Sequence, residues 1–354
     1  MTKRSSKSLW SSSFKRLFNK MSSSVTLAGV KAIKQTLATA KPVKPAKSAK
    51  VAKIVKPAKP RKPTKPAKPA LVASTHWTTG VTVSAAGTRR YHVYRPPGVR
   101  SNERLPLIVM LHGCLQDAEA MAASSRMNKL AERKRFCVLY PEQEKLANTH
   151  ACWNWYDSRS GRAQREARSI HAVIDQLCLT QAIDPQRMAV AGLSAGASMA
   201  ALLVLSDPRR FRALAMHSGV APGLAHSSAT AVMAMRGRRQ LAAPLPADMT
   251  LPALLIIQGS RDRVVSPVNA TLLARQWAEQ SGAQASKPRS VQRGARYPAT
   301  VTDYRSQGKL VVSLCEINGL DHAWSGGATG HAYSDPKGPD ASAMIWAFAS
   351  KHFI

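Results

Sequence analysis

Acidic residues are missing from the N-terminal part of the sequence, where no aspartate or glutamate precedes Glu103. In the whole chain of 354 residues, 52 Lys and Arg outnumber 19 Asp and Glu and give a formal net charge of +33. Residues 1–70 alone hold 19 of the basic side chains. Because like charges crowded together oppose compaction, this distribution predicts a basic N-terminal extension followed by one sizeable domain over residues 76–354.

Long apolar runs are also missing. No stretch of about 18 uncharged apolar residues occurs, which excludes a transmembrane helix. Lys31 and Lys34 interrupt the weak apolar stretch at residues 25–40. This stretch therefore offers no clean hydrophobic region of a secretory signal, and the residues alone argue against export by it.

Cysteine is scarce, and the five residues have neither metal-ligand spacing nor the number needed for a disulfide scaffold. Cys137 and Cys178 lie in apolar runs that are typical of a core. Cys114 and Cys152 lie in polar, loop-like surroundings, where pairing and free thiols both stay open. Because the count is odd, at least one thiol is free, and the redox compartment is undetermined at this point.

Residues 1–40 contain a basic amphipathic segment. Its apolar residues recur at helical spacing, at Trp10, Phe14, Leu17, Phe18, Met21, Val25 and Ala28. Lys7, Lys15, Arg16 and Lys20 lie off this stripe. Such a helix fits an anionic lipid surface, a hydrophobic particle or the groove of a partner protein.

Residues 41–70 are a low-complexity repeat of Lys, Pro, Ala and Val in which lysine recurs at every third position from Lys41 to Lys68. Proline favours the polyproline II conformation, whose three residues per turn would align these lysines on one side, about 9 Å apart. One interpretation is a stiff polycation for a polyanion or an anionic granule surface. The other is a solvated linker that its own charge keeps extended.

The remainder of the sequence alternates strand and helix patterns. Strands are predicted at residues 81–85, 89–95, 105–111, 136–140, 187–193, 214–217, 254–258 and 310–317. Helices are predicted at residues 117–134, 163–181, 195–205, 267–280 and 341–353. This alternation predicts an α/β fold with a mostly parallel sheet and helices on both faces. Residues 221–250 are irregular and fit a lid or cap.

The sharpest motif is the G-x-S-x-G sequence at residues 192–196, between a buried strand and an apolar helix. This context is typical of the nucleophile elbow of an α/β-hydrolase, because so tight a turn needs small residues on both sides of the serine. Ser194 would stand exposed above the sheet, and the N-terminus of the following helix would favour negative charge beside it.

A nucleophilic serine needs a base and an acid, which follow it in the order Ser, Asp, His in this fold. Asp262 lies just after the strand at residues 254–258, and His322 lies just after the strand at 310–317. We therefore predict a Ser194–Asp262–His322 triad, with capping of the next helix as the alternative role of Asp262. Asp321, beside His322, fits a structural turn better, because adjacent side chains point apart.

The negative charge of the reacting carbonyl oxygen needs two backbone N–H donors, which together form an oxyanion hole. The first expected donor is Ala195, directly after the nucleophile. The second is Cys114, in the His112–Gln116 loop that follows an early strand. This loop departs from the full HGGG sequence, so the second donor rests on position alone.

Five segments together make the chain resemble the polyhydroxybutyrate (PHB) depolymerase family of esterases, over roughly residues 78–350. They are LHGCLQ at residues 111–116, YPEQ at 140–143, CWNW at 152–155, AGLSAG at 191–196 and HAWSGG at 322–327. The resemblance implies carboxylesterases that cleave short-hydroxyacid polyesters or related esters with a Ser–Asp–His triad and no cofactor. It assigns these roles to Ser194, Asp262 and His322, and it implies a disulfide between Cys114 and Cys152.

One departure from the family pattern is Ala197, where a third glycine is common. The resemblance implies an extracellular protein, whereas the missing clean signal favours a cytoplasmic, granule-associated one. Four aromatic residues, Trp153, Trp155, Tyr156 and Trp324, are candidates for the substrate surface, with core packing as the alternative.

The predicted function is therefore a serine esterase that hydrolyses PHB-type polyesters or their oligomers, without a metal or cofactor. A feruloyl, acetyl or general short-chain carboxylesterase keeps the same machinery and changes the substrate. A third hypothesis treats residues 1–70 as the functional part, binding a polyanion or a granule surface beside a non-catalytic hydrolase scaffold.

Overall fold

A computed structural model describes residues 76–100, 102–239, 245–246 and 248–353. The predictions for residues 1–40 and 41–70 therefore lie outside the described residues. In the described part of the chain, no helix is long and apolar enough to cross a membrane.

The central feature of the described residues is an eleven-stranded sheet with the order β1-β2-β4-β3-β5-β6-β7-β11-β10-β8, in which β9 also pairs with β10. The first strands are β1 Trp77–Ser84, β2 Gly87–Tyr94, β3 Leu105–Leu111, β4 Cys137–Pro141, β5 Ile183–Leu193 and β6 Ala213–His217. The others in this sheet are β7 Ala253–Gly259, β8 Gln284–Ala285, β9 Arg289–Val291, β10 Ala299–Ser306 and β11 Lys309–Ile317. Strands β4, β3, β5, β6, β7 and β11 run parallel, and antiparallel strands flank them on both sides.

Helices cover both faces of this sheet because its inner strands are apolar on both faces. The helices are α1 Ala118–Ser125, α2 Met127–Lys134, α3 Arg162–Thr180, α4 Ala195–Ser206, α5 Ser228–Met235, α6 Val268–Gln280 and α7 Ala341–Ser350. Along β3 the side chains alternate between two cores: Leu107 packs on the α3, α4 and α6 side, and Ile108 packs on the α1, α2 and α7 side. The predicted α/β class with a mostly parallel sheet is confirmed.

Two predicted segments differ in detail. The helix predicted at residues 117–134 is two helices, because Arg126 adopts a left-handed conformation with φ of 57° and its N–H closes α1 on the Ala122 carbonyl. The irregular region at residues 221–250 contains helix α5, whose N-terminus has a capping box formed by Ser227 and Thr230.

Several strands were missed at the sequence level. Strand β10 has mixed, half-exposed residues and lies near the sheet edge, so its apolar signal is weak. Strands β8 and β9 are two and three residues long, and all of their residues are exposed. A separate two-stranded pair, β12 Trp324–Ser325 and β13 Ser334–Asp335, follows the last strand of the main sheet.

Candidate active site

Ser194 occupies a strained turn between β5 and α4, with φ of 57° and ψ of −119°. Backbone contacts enforce this turn. A Cβ atom on Gly192 would lie 2.4 Å from the Gly196 backbone, and one on Gly196 would lie 2.2 Å from the Leu111 carbonyl oxygen. The two glycines of the motif are therefore required by close approach of β5, α4 and the end of β3.

Among the described residues, the Ser194 side chain has no hydrogen-bond partner. Its backbone N–H donates to the His217 carbonyl at 2.8 Å, but among the described residues its hydroxyl makes no hydrogen bond. The hydroxyl lies at the N-terminus of α4, where the helix dipole favours developing negative charge. This is a suitable position for a nucleophile.

Asp262 and His322 meet at the same edge of the sheet, at the ends of β7 and β11. The His322 Nδ1 lies 2.8 Å from the Asp262 Oδ2. The other carboxylate oxygen accepts the backbone N–H groups of Val264 at 2.9 Å and Val265 at 2.8 Å. Every carboxylate oxygen is thus bonded, and Asp262 is 5% exposed.

The charge state of Asp262 follows from these contacts. Burial opposes ionisation, but the nearby His322 and the hydrogen bonds outweigh it and hold the pKa of the Asp262 carboxyl below its ordinary value. The carboxylate is therefore ionised at neutral pH and faces the His322 ring.

Asp321 behaves differently from Asp262. It is exposed, and its Oδ1 accepts the backbone N–H of His322 at 2.8 Å instead of a ring nitrogen. The Asp321 side chain therefore stabilises the turn that carries His322.

The loops that carry the acid and the histidine pack directly on each other. The N–H of Arg261 donates to the Leu320 carbonyl at 3.0 Å, and a Cβ atom on Gly259 would lie 2.4 Å from that carbonyl oxygen. The position of His322 thus depends on the loop of Asp262.

The two expected oxyanion donors lie on neighbouring elements, because Gly196 of α4 packs against the carbonyls of Leu111 and His112 at the end of β3. Within the described residues, the N–H groups of Cys114 and Ala195 have no hydrogen-bond partner. The adjacent N–H of Gly113 instead donates to Gln116 Oε1 at 3.0 Å, which shapes the loop. Two unused N–H groups are available for a substrate oxygen.

Residues 142–154 hold in place the loop at residues 112–116 that carries Cys114, which we call the oxyanion loop. Cys152 forms a disulfide with Cys114, and the Trp153 indole N–H donates to the His112 carbonyl at 3.1 Å. The His112 ring donates from Nδ1 to the Gly113 carbonyl at 2.8 Å and accepts the N–H of Gln143 on Nε2 at 3.1 Å. Burial lowers the pKa of His112 to about 4, so the ring is neutral and can accept this bond.

A buried polar network supports this segment in turn. Glu166 of α3 accepts the Asn154 backbone N–H at 2.8 Å and the Gln143 amide at 2.7 Å. Arg89 of β2 donates to Gln143 Oε1 at 2.8 Å and to Ser169 Oγ at 3.0 Å. Burial lowers the pKa of Arg89 and the Glu166 charge opposes this shift. Loss of Glu166 would remove the larger of the two acidic charges that oppose the effect of burial on Arg89.

The aromatic candidates for a substrate surface divide into two groups. Trp153 and Trp324 are fully buried, and the indole N–H of Trp324 donates to Ser342 Oγ at 3.2 Å. These two residues do not fit the substrate-surface prediction, because their rings are core and present no area to a ligand. Trp155 is only 9% exposed, and its ring meets that of Tyr156 edge-on, with the ring centroids 5.6 Å apart. Of the four candidates, Tyr156 alone is partly exposed.

Sequence reasoning missed two side chains at this edge. The Gln258 amide nitrogen donates to Asp262 Oδ2 at 3.1 Å, and the His217 Nε2 accepts the backbone N–H of Ser325 at 3.1 Å. Each residue is a polar side chain at or near the end of an apolar strand, and this was the available signal. Elsewhere in the described residues, no group of three or more His, Cys, Asp or Glu is placed to hold a metal ion.

Comparisons with known proteins place this geometry in a family context. The family model described as "Esterase PHB depolymerase" matches residues 89–293. Poly(3-hydroxyalkanoate) depolymerase C of Paucimonas lemoignei is 31% identical over 239 residues, which are 64% of this chain and 56% of that protein. The chain thus spans little more than half the length of that relative. A probable acetylxylan esterase A of Aspergillus clavatus is 28% identical over 260 residues, which are 66% of this chain and 82% of that protein.

Among solved structures, an acetyl xylan esterase from Aspergillus awamori is similar with a TM-score of 0.58 and 17% identity. The match covers 78% of this chain and all of that chain. At this identity the likeness concerns the fold, and the predicted α/β-hydrolase fold is confirmed.

Proposed function

Because the chain belongs to the PHB depolymerase family of esterases, we propose that it hydrolyses carboxylic esters with Ser194 as nucleophile, His322 as base and Asp262 as the acid that orients His322. The observation that carries this proposal is the 2.8 Å contact between His322 Nδ1 and the buried, ionised Asp262. This contact lies at the carboxyl ends of the parallel strands, the same edge of the sheet at which Ser194 lies in its turn between β5 and α4.

In the proposed reaction, the Ser194 oxygen attacks the ester carbonyl carbon and its proton passes to His322 Nε2. The carbonyl oxygen becomes an oxyanion that accepts the N–H groups of Ala195 and Cys114. Collapse of this intermediate breaks the bond to the alcohol, which leaves with the proton from His322. Water then attacks the acyl enzyme by the same steps, releases the acid and restores Ser194.

Asp262 supports this cycle through the imidazole tautomer. Its carboxylate accepts the Nδ1 proton, so Nε2 is free to receive the serine proton. The same charge stabilises the imidazolium that forms when the serine attacks. Hydrogen bonds from Val264 and Val265 keep the carboxylate fixed while this happens.

For the substrate, we propose PHB-type polyesters or their oligomers, since the family model and the Paucimonas relative carry depolymerase names. A second candidate is an acetyl ester of a polysaccharide, which the names of the two Aspergillus proteins support. Both substrates use the same machinery and differ in what binds beside it. Tyr156 is the aromatic candidate whose exposure fits contact with either.

The test is a hydrolysis panel of PHB film, p-nitrophenyl butyrate, acetylated xylan and a feruloyl ester. Wild type should release acid from PHB film and from the small ester. Ser194→Ala should lose nearly all turnover, and Ser206→Ala, at the exposed end of α4, should keep it. Cleavage of acetylated xylan without cleavage of PHB would select the second candidate. Absence of turnover on all four esters would overturn the proposed activity and favour the scaffold hypothesis.

For residues 1–70 we propose binding to a polyanion or an anionic granule surface through the lysines at every third position from Lys41 to Lys68. Such binding releases counterions and therefore weakens steeply with salt. Changing the ten lysines to Gln in the full chain should sharply lower the salt concentration at which the protein elutes from heparin and leave p-nitrophenyl butyrate hydrolysis unchanged. Equal retention of both proteins would contradict this proposal.

A further inference from the structure

The three groups of the proposed site lie at the ends of strands that are not all neighbours. Ser194 follows β5, Asp262 follows β7 and His322 follows β11, and the sheet order here is β5-β6-β7-β11. Neighbouring strands lie ~4.8 Å apart, so β5 and β11 are separated by three spacings, or ~14 Å. The chain after β11 must therefore return over the ends of β7 and β6 for His322 to approach Ser194.

His217 lies where this return crosses β6, since it is the last residue of that strand. Its ring Nε2 accepts the backbone N–H of Ser325 at 3.1 Å. The ring also stacks on Trp324, with centroids 5.3 Å apart and planes inclined by 27°. The chain that carries His322 is thus held by the His217 imidazole at the end of β6, through a hydrogen bond and a stacking contact.

The backbone of His217 contacts the other half of the site. Its carbonyl oxygen accepts the N–H of Ser194 at 2.8 Å. One residue therefore holds the nucleophile turn through its main chain and the histidine loop through its side chain. Because the two contacts use different atoms, a side-chain substitution can remove the second and leave the first.

The tautomer of His217 follows from its contacts. A nitrogen that accepts a backbone N–H carries no proton, so the ring proton is on Nδ1, which faces Ser218 Oγ at 3.2 Å. The ring is 1% exposed. Burial, and secondarily the neighbouring His322, lower the pKa of His217 to about 3. The acceptor therefore persists throughout the neutral range.

We propose that His217 is a positioning residue for the base: its neutral Nε2 anchors the Ser325 N–H and so holds the chain after β11 with His322 within reach of Ser194. This inference rests on the proposed esterase function. His217 does not touch the reacting atoms, and its effect on turnover passes through His322.

Two amide substitutions separate anchoring from packing. In His217→Gln the side-chain oxygen reaches about as far as Nε2, so it can accept the Ser325 N–H. In His217→Asn the same amide is one methylene shorter and cannot reach. With p-nitrophenyl butyrate, His217→Asn should lower kcat by about 10- to 100-fold with KM within about threefold of wild type, since a buried N–H is left unpaired. His217→Gln should restore kcat to within about threefold.

A matched control measures the effect of lost stability alone. Trp277 is fully buried in α6, and its indole N–H donates to the Pro252 carbonyl at 3.0 Å, before β7 and at the opposite end of the sheet from the site. Trp277→Phe should lower the melting temperature and leave kcat unchanged. Wild-type kcat in His217→Asn, or equal kcat losses in His217→Asn and His217→Gln, would overturn the inference while the proposed function stands.

A measurement on the wild-type protein keeps the inference testable if the variants fail to fold. Nitrogen-15 NMR of the His217 ring at pH 7 should show a neutral ring with its proton on Nδ1. A proton on Nε2 would overturn the inference, because that nitrogen could not accept the Ser325 N–H. A folded wild type without turnover on any ester would overturn the proposed function and the inference that rests on it.

Discussion

The turn of Ser194 and the loop of His322 are held in place by different means. The serine turn is held by backbone contacts: its two glycines approach each other and the end of β3, and the Ser194 N–H donates to the His217 carbonyl. The histidine loop shares one such backbone contact, between Gly259 and the Leu320 carbonyl, and is held in addition by side chains far away in the sequence. His217 lies 108 residues before its Ser325 partner, and Asp262 lies 60 residues before His322.

This difference separates an element held by backbone packing from one that depends largely on side-chain hydrogen bonds. The serine turn tolerates no added atom at Gly192 or Gly196, because the opposing groups are backbone and cannot rotate away. The histidine loop depends on individual hydrogen bonds, each of which costs only part of the stability when it is removed. Substitutions should therefore affect the first element in an all-or-none way and the second by degrees.

The largest expected effect concerns the acid that orients the histidine. Asp262→Asn should keep the fold and lower kcat by about 10⁴-fold, because the imidazole loses control of its tautomer. Asp321→Asn, whose carboxylate caps a backbone N–H, is the matched control and should change kcat only slightly. Steady-state kinetics on a soluble ester would check both, and the reverse ranking would refute the choice of Asp262.

The second prediction tests the steric origin of the serine turn. In Gly196→Ala the new Cβ would lie 2.2 Å from the Leu111 carbonyl oxygen, so the protein should lose several kcal/mol of stability and most of its turnover. Gly98→Ala, at φ of 67° with nothing within 4 Å, should cost about 1 kcal/mol through backbone strain alone. Urea unfolding measures both, and similar losses would contradict a packing requirement at Gly196.

A smaller effect is expected at Gln258, whose amide nitrogen faces three acceptors. These are the Asp262 carboxylate at 3.1 Å, the Val265 carbonyl at 3.2 Å and the Gly259 carbonyl at 3.4 Å. Gln258→Leu should lower kcat by about 10-fold, since Asp262 loses one of its donors. Gln276→Leu is the control, because that amide is also buried but donates only to the Pro222 carbonyl. Equal kcat values for the two variants would argue against a role of Gln258.

The last expected effect is a loss of stability in acid that involves both elements, through His112 beside the oxyanion loop and His217 beneath the histidine loop. Their pKa values, about 4 and about 3, lie below the ordinary value of 6.5. Above pH 6.5 the two histidine rings are neutral in both the folded and the unfolded protein, so they do not make stability depend on pH. Between pH 6.5 and its folded-state pKa, each histidine is protonated in the unfolded chain and neutral in the folded one. As the pH falls through this range, each therefore lowers the free energy of unfolding by up to about 1.4 kcal/mol per pH unit.

Urea unfolding at pH 7, 6 and 5 would check this pH dependence. His217→Gln should show a shallower loss of stability than wild type between pH 6 and 5, because glutamine does not titrate. An unchanged slope would show that His217 does not stay neutral in the folded protein.

The same contrast explains what the sequence could predict. The G-x-S-x-G turn, the acid after β7 and the histidine after β11 were located by local pattern and chain order. The burial of Trp153 and Trp324 could not be predicted in this way, because the sequence pattern around an aromatic residue does not distinguish a surface position from a core position. The roles of Gln258 and His217 were also missed, since each depends on a neighbour that only the folded sheet supplies. Strand β10 was missed because its alternation is weak at the sheet edge.

The most direct test of the proposed serine chemistry is covalent labelling of the full-length protein with a fluorophosphonate, followed by peptide mapping. Wild type should carry one adduct, on Ser194, and Ser194→Ala should carry none. His322→Ala should label far more slowly, because the serine has lost its base. Full labelling of Ser194→Ala, or an adduct on another serine in wild type, would contradict the assignment of Ser194 as the nucleophile.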